Sequence, residues 1–111
     1  MKIVLYELDS AIVKSTILCK KVGGKYIIDG YDRGKVVKEV FGGYGYEYSM
    51  KLDEVELDKL QVNEFNRIDN DSFMTSWIKQ FVDDPKCFSR IKAQFDEHGV
   101  NYDYFSWRDV S

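Results

Sequence analysis

Residues Lys25–Leu52, KYIIDGYDRGKVVKEVFGGYGYEYSMKL, carry the pattern that decides the fold. Within them Tyr46, Tyr48, Met50 and Leu52 alternate with Glu47, Ser49 and Lys51. That period of two suits an antiparallel strand with one face buried and the other wet. Lys35 to Phe41 alternates in the same way, and Gly42-Gly43-Tyr44-Gly45 lies between the two runs. Glycine accepts the positive φ of a tight connection, so the stretch predicts a hairpin.

Upstream, Lys2 to Leu8 reads as a strand with Ile3 and Leu5 on one side and Val4, Tyr6 and Leu8 on the other, which predicts a central strand covered on both faces. Ala11 to Val22 is rich in β-branched residues and predicts a second strand, with Lys14, Lys20 and Lys21 toward water. Gly23-Gly24 predicts a short reversal. Tyr26 to Ile28 then gives a brief third strand, and the composition of Asp29-Gly30-Tyr31-Asp32-Arg33-Gly34 predicts a turn.

Downstream the period changes. Asp53-Glu54-Val55-Glu56 is close to a capping box, and Val55, Leu57, Leu60 and Val62 can share the inner side of a short helix. Phe73, Met74, Trp77, Ile78, Phe81 and Val82 lay a wide apolar stripe along a second helix, with Asp71 or Ser72 as its cap. Asp83-Asp84-Pro85 stops that helix and starts a third, whose buried line is Phe88, Ile91 and Phe95 and whose end is marked by His98 and Gly99. From Val100 to Trp107 alternation returns, with aromatic residues on both sides. Strands first and helices after predict a single α+β domain over residues 1–111: an antiparallel sheet of five to six strands from an N-terminal meander, with about three C-terminal helices on one face.

Composition narrows the function. A chain of 111 residues that is 44% hydrophobic can bury a core of its own. Glu7 and Asp9 interrupt the window where a signal peptide needs its apolar region, and no run reaches the roughly 18 apolar residues of a membrane span, which predicts a cytoplasmic protein. Cys19 and Cys87 stand apart with a single histidine in the chain, so a zinc site lacks ligands and both cysteines are expected to be reduced packing residues. The net charge of -3 is uneven: residues 1–50 hold eight basic and six acidic residues, residues 51–111 eight basic and thirteen acidic. An acidic half opposes the phosphate neutralisation on which nucleic-acid binding depends and suits a basic partner instead.

Catalytic and ligand motifs are weak. Asp29, Asp32 and Glu47 around the glycine-rich turns are the carboxylates that an acid–base enzyme or a ligand-binding domain would use, although turn aspartates also bond their own backbone. Asp69-Asn70-Asp71 resembles the start of a calcium loop, but Met74 and Gln80 stand where glycine and glutamate are needed. Gly42 to Gly45 leads into a strand and not a helix, unlike a phosphate cradle. His98 has no evident nucleophile beside it. No metal or cofactor is expected. Tyr31 and Tyr44, in expected turns, are the best exposed aromatic anchors for a protein partner, while Tyr26, Tyr46, Tyr48, Tyr102, Tyr104, Trp77 and Trp107 are expected mostly in the core.

The positions Asp29, Gly30, Asp32, Gly34, Phe41, Gly42, Tyr46, Glu47, Tyr48 and Trp107 resemble a pattern in small bacterial proteins of the toxin-immunity type. The pattern is an Asp-Gly-x-Asp-x-Gly turn, an aromatic-Gly step, a Tyr-Glu-Tyr strand and a closing aromatic strand. The resemblance implies a non-enzymatic module that binds and neutralises a basic toxin domain. It transfers no inhibitory residue, because immunity surfaces follow the individual toxin. Charge then makes Asp53, Glu54, Glu56, Asp58, Asp69 and Asp71, with Tyr31 and Tyr44, the expected contact residues.

Overall fold

The computed structural model describes residues 1–34, 45–61 and 67–109, with side chains to residue 107. Five strands, β1 (Lys2–Asp9), β2 (Val13–Val22), β3 (Lys25–Gly34), β4 (Gly45–Asp53) and β5 (Asp103–Asp109), form one antiparallel sheet in sequence order. Helix α1 (Asn70–Trp77), helix α2 (Cys87–Glu97) and two 3₁₀ turns, Glu54–Lys59 and Ile78–Phe81, lie between β4 and β5. The α+β architecture predicted from periodicity is therefore present. Lys35–Phe41, Gly42, Gly43 and Tyr44 fall outside the described residues. The expected pairing of Lys35–Phe41 with Tyr46–Leu52 does not form, because β4 has β3 on one side and β5 on the other.

Gly23 and Gly24 join β2 to β3 with φ of 58° and 79°, the two positive values that a two-residue hairpin with matching twist requires. Beyond them the turn expected at Asp29–Gly34 does not form. β3 runs straight through, pairing Gly30 with Ile17 on one side and with Tyr48 on the other. Ladder partners on both sides outweigh local turn propensity.

β1 is likewise not a central strand but an edge. Its register slips between Val4 and Tyr6, so the bulge at Leu5 returns Tyr6 and Leu8 to the side of Ile3. The apparent two-faced apolarity is one helix-side row, Ile3, Tyr6 and Leu8, read through a bulge, with Leu5 buried and Val4 and Leu8 exposed. The amide of Asp83, a residue with φ of 64°, donates to the Leu5 carbonyl at 2.7 Å and ties the α1–α2 connection to this edge.

One sheet face, with Ile17, Cys19, Tyr26, Ile28, Met50 and Leu52, packs on Leu57, Met74, Ile78, Ile91 and Phe95 from the helical layer. Asp53 occupies the cap position of the first 3₁₀ turn but makes no capping bond, and Val55 is exposed while Leu57 is buried. The cap of α1 is Asp69, which accepts from the Ser72 amide at 2.9 Å, and not Asp71 or Ser72 as expected. At the end of α2, Gly99 has φ of 69°, its amide donates to Asp96, and Val100 donates to the Phe95 carbonyl, which closes a Schellman cap. Among the described residues, no helix is long and apolar enough to cross a membrane.

Candidate functional site

Cross-strand register divides the sheet into two faces. On the face away from the helices one row reads Glu7, Thr16, Tyr31, Glu47, Trp107, and the next reads Val4, Leu18, Asp29, Ser49, Phe105. None of these ten residues is buried. Phe105 is 55% exposed, Trp107 50% and Tyr31 40%. Tyr31 is thus an exposed aromatic as expected, although a strand and not a turn presents it. Its hydroxyl lies over Gly45, where a Cβ would stand 2.7 Å from the phenol oxygen. Trp107 and Tyr104, expected in the core, are half exposed on β5, the uncovered edge strand. The signal was in the sequence: β5 is aromatic at both parities, and helices cover one side of a sheet only.

The acidic residues singled out by charge are engaged within the chain. Lys21 on β2 pairs with Glu54 at 2.9 Å and Asp71 at 2.8 Å, and Tyr26 donates to the same Asp71 oxygen. Bonds from Lys21 and then Tyr26 hold the Asp71 carboxyl below its usual range, and the bonds to Asp71 and then Glu54 hold the Lys21 ammonium above its own. Lys21 was expected to face water, and its ammonium instead lies 5.4 Å from the Tyr26 ring. Asp53 pairs with Lys25 at 3.5 Å and Asp58 with Arg67 at 2.6 Å. Glu56 pairs with Lys59 at 2.7 Å and accepts from the Asn101 amide at 2.6 Å, and these bonds lower its pKa. Asp69 is the cap of α1. These groups clamp elements together, and five of the six acids pair with a cation of the chain, Lys21 serving two of them.

Asp29, Asp32 and Glu47 do not converge. Asp29 and Asp32 are three apart on one strand and point to opposite faces. Asp29 shares the open face with Glu47 and lies 3.8 Å from Lys20. Asp32 is on the helix side, at a cleft of about 270 Å³ between the sheet and the first turn of α2. Its Oδ1 accepts from the Ser15 hydroxyl and, at 3.4 Å, from the Tyr48 hydroxyl. Burial, reinforced by Asp32, raises the pKa of Tyr48.

The rings of Tyr46, Tyr48, Phe88 and Tyr104 run along this cleft with successive centroids 5.4, 4.7 and 6.3 Å apart. Gly30 makes the arrangement possible, because a Cβ there would sit 2.0 Å from the Tyr48 ring. Pro85 and Lys86 form the opposite rim.

His98, Cys19 and Cys87 lie away from the open sheet face. His98 Nδ1 lies 3.0 Å from the Gln94 carbonyl at the end of α2. Cys19 and Cys87 are free and buried, and burial pushes their thiols up to about 12 and about 11, which leaves little thiolate at neutral pH. Comparison with protein-family models, with curated proteins and with solved structures finds no match.

Proposed function

We propose that the protein is a non-enzymatic protein-binding module whose partner docks on the open sheet face at β5. We further propose that this partner is the basic toxin domain of a bacterial toxin–immunity pair. The observation that carries the binding reading is the exposed set Tyr31, Phe105 and Trp107 on one uncovered face. Tyr31 and Trp107 flank Glu47 in one row, about 10 Å apart by the spacing of strands. Large aromatic side chains of this type dominate interface energetics, and acidic rims set orientation. The toxin specification rests on the sequence resemblance and on the net charge of -3. The paired acids of the helical layer add little to it, since each is held by a cation of the same chain.

The test is co-expression with the toxin-type protein encoded beside this chain. That protein is expected to arrest growth alone, to co-purify with this chain, and to be neutralised by it. Phe105→Ala and Trp107→Ala are each expected to weaken the complex by about 2 kcal/mol, roughly 30-fold in Kd, with an unchanged thermal melt. A neighbour that is harmless alone and does not bind removes the toxin reading. Binding that is indifferent to both variants removes the β5 surface.

A further inference from the structure

We infer that the cleft beside Asp32 is a binding site for a guanidinium or alkylammonium group. Asp32 is half-buried, and its contacts are hydroxyls: Ser15 and Tyr48 both donate to Oδ1. Among the described residues no lysine or arginine forms an ion pair with it, whereas nine ion pairs tie acids elsewhere in the chain. A carboxylate taken partly out of water and given only neutral donors is compensated best by a cation brought from outside.

The wall next to it is built of the rings of Tyr46, Tyr48, Phe88 and Tyr104, and the faces of such rings are electron-rich. Rings grouped beside a carboxylate are the surroundings in which cation–π attraction adds to a charge-assisted hydrogen bond.

Among the described residues two positive features share the cleft, and their position decides the balance. Lys86 is exposed at the rim, where water and salt screen its charge. The amino end of α2 is already answered by Asp84, whose Oδ1 accepts from the Lys86 amide and whose carbonyl accepts from Cys87. The half-buried Asp32 is screened less than either, so it sets the sign of the interior.

The cation can come from a free small molecule or from an arginine or lysine side chain of a bound protein. The second source rests on the protein-binding reading above; the site itself does not. Tyr104 reaches this cleft from the same strand whose Phe105 and Trp107 lie on the open face, so a protein gripping β5 can place a basic side chain there.

The test titrates arginine amide into the whole protein and follows backbone amide shifts by NMR, with glucose and glycine amide as comparison ligands. Arginine amide is expected to shift residues around Ser15, Asp32, Tyr48 and Phe88, and Asp32→Asn to weaken this at least tenfold. Lys86→Gln is expected to tighten binding two- to fivefold, because it removes a like charge. It would instead weaken an anion or a saccharide that uses the ammonium as a donor. Asparagine keeps the acceptor for Ser15 and Tyr48, and Lys86→Gln, at an exposed position, provides a second variant should Asp32→Asn unfold.

No shift with arginine amide at 100-fold excess overturns the proposal, as does an unchanged response in Asp32→Asn or weaker binding in Lys86→Gln. The two sources separate by repeating the partner assay with Asp32→Asn. Loss of the complex assigns the cation to the partner; a complex that survives while arginine amide binding is lost assigns it to a free ligand. Failure of the partner assay in wild-type protein leaves the NMR result standing by itself.

Discussion

A single missing side chain shapes the cleft. Gly30 faces Tyr48 across the β3–β4 ladder, and a methyl group at position 30 would stand 2.0 Å from Tyr48 Cε2 and 2.3 Å from Cζ. The ring cannot stay where it is beside any larger residue. Gly30→Ala is therefore expected to cost about 1–3 kcal/mol, the usual range for overpacking, and to displace the Tyr48 hydroxyl from Asp32. Urea unfolding reads the first effect and the near-ultraviolet tyrosine signal the second. An unchanged midpoint would mean that Tyr48 has room to move and does not define the cleft. Gly45 and Tyr31 repeat the same device on the other face, so both tyrosines lean over a glycine.

At the scale of elements, the helical layer is held by aromatic packing more than by its caps. Phe95 on α2 is fully buried, stacks on Trp77 of α1 with centroids 5.8 Å apart, and meets Tyr102 at the same distance. It is also the residue whose carbonyl accepts the Schellman bond from Val100. Phe95→Ala removes the common packing partner of both helices and the segment entering β5. We expect a loss of about 3–5 kcal/mol in a denaturant titration, with helical far-ultraviolet signal lost in the same transition as the sheet. A loss below 1 kcal/mol would show that α1 and α2 pack on the sheet independently. β5 depends on this layer, because residues 98–102 carry the chain from α2 to the sheet edge. The apolar stripe of the helices was legible from spacing alone, except that Val82, expected on it, is exposed. The break of α1 into a 3₁₀ turn at Ile78 was not, since both forms bury Ile78 and Phe81.

For the molecule as a whole, the cluster of Lys21, Tyr26, Glu54 and Asp71 joins the sheet to the helical layer and contributes to the pH dependence of stability. Asp71 has a lowered pKa when folded, so its contribution is present above the ordinary carboxylate value, about pH 4, and is lost as pH falls through the lowered value. Lys21 has a raised pKa, so its contribution is present below about pH 10 and is lost as pH rises through the raised value. Burial of Tyr26 raises that phenol too, and it acts in the same alkaline direction. The urea midpoint is expected to form a plateau between these limits. Asp71→Asn is expected to lower the plateau, and its difference from the wild type should shrink as pH falls below about 4 and vanish once pH has passed the lowered value of the folded carboxyl. A difference that persists at acid pH would assign the loss to packing and not to charge. The same cluster shows what a charge count along the chain leaves out: the acids of residues 51–111 meet lysines from β2 and β3, which no linear count brings together.

Local periodicity in the sequence was enough to determine strands at β1, β2, β4 and β5 and at the start of β3, the Gly23-Gly24 hairpin, most of the stripe of α1, the buried line of α2 and its Gly99 stop. Each depends on residues within a few positions of one another. Only the tertiary structure decided that Asp29–Gly34 continues a strand, that β1 is a bulged edge, that Asp29 and Asp32 face opposite ways, and that β5 leaves Phe105 and Trp107 uncovered. Those outcomes turn on which strand lies beside which and on which face the helices cover, and both are set by pairings between residues distant in sequence.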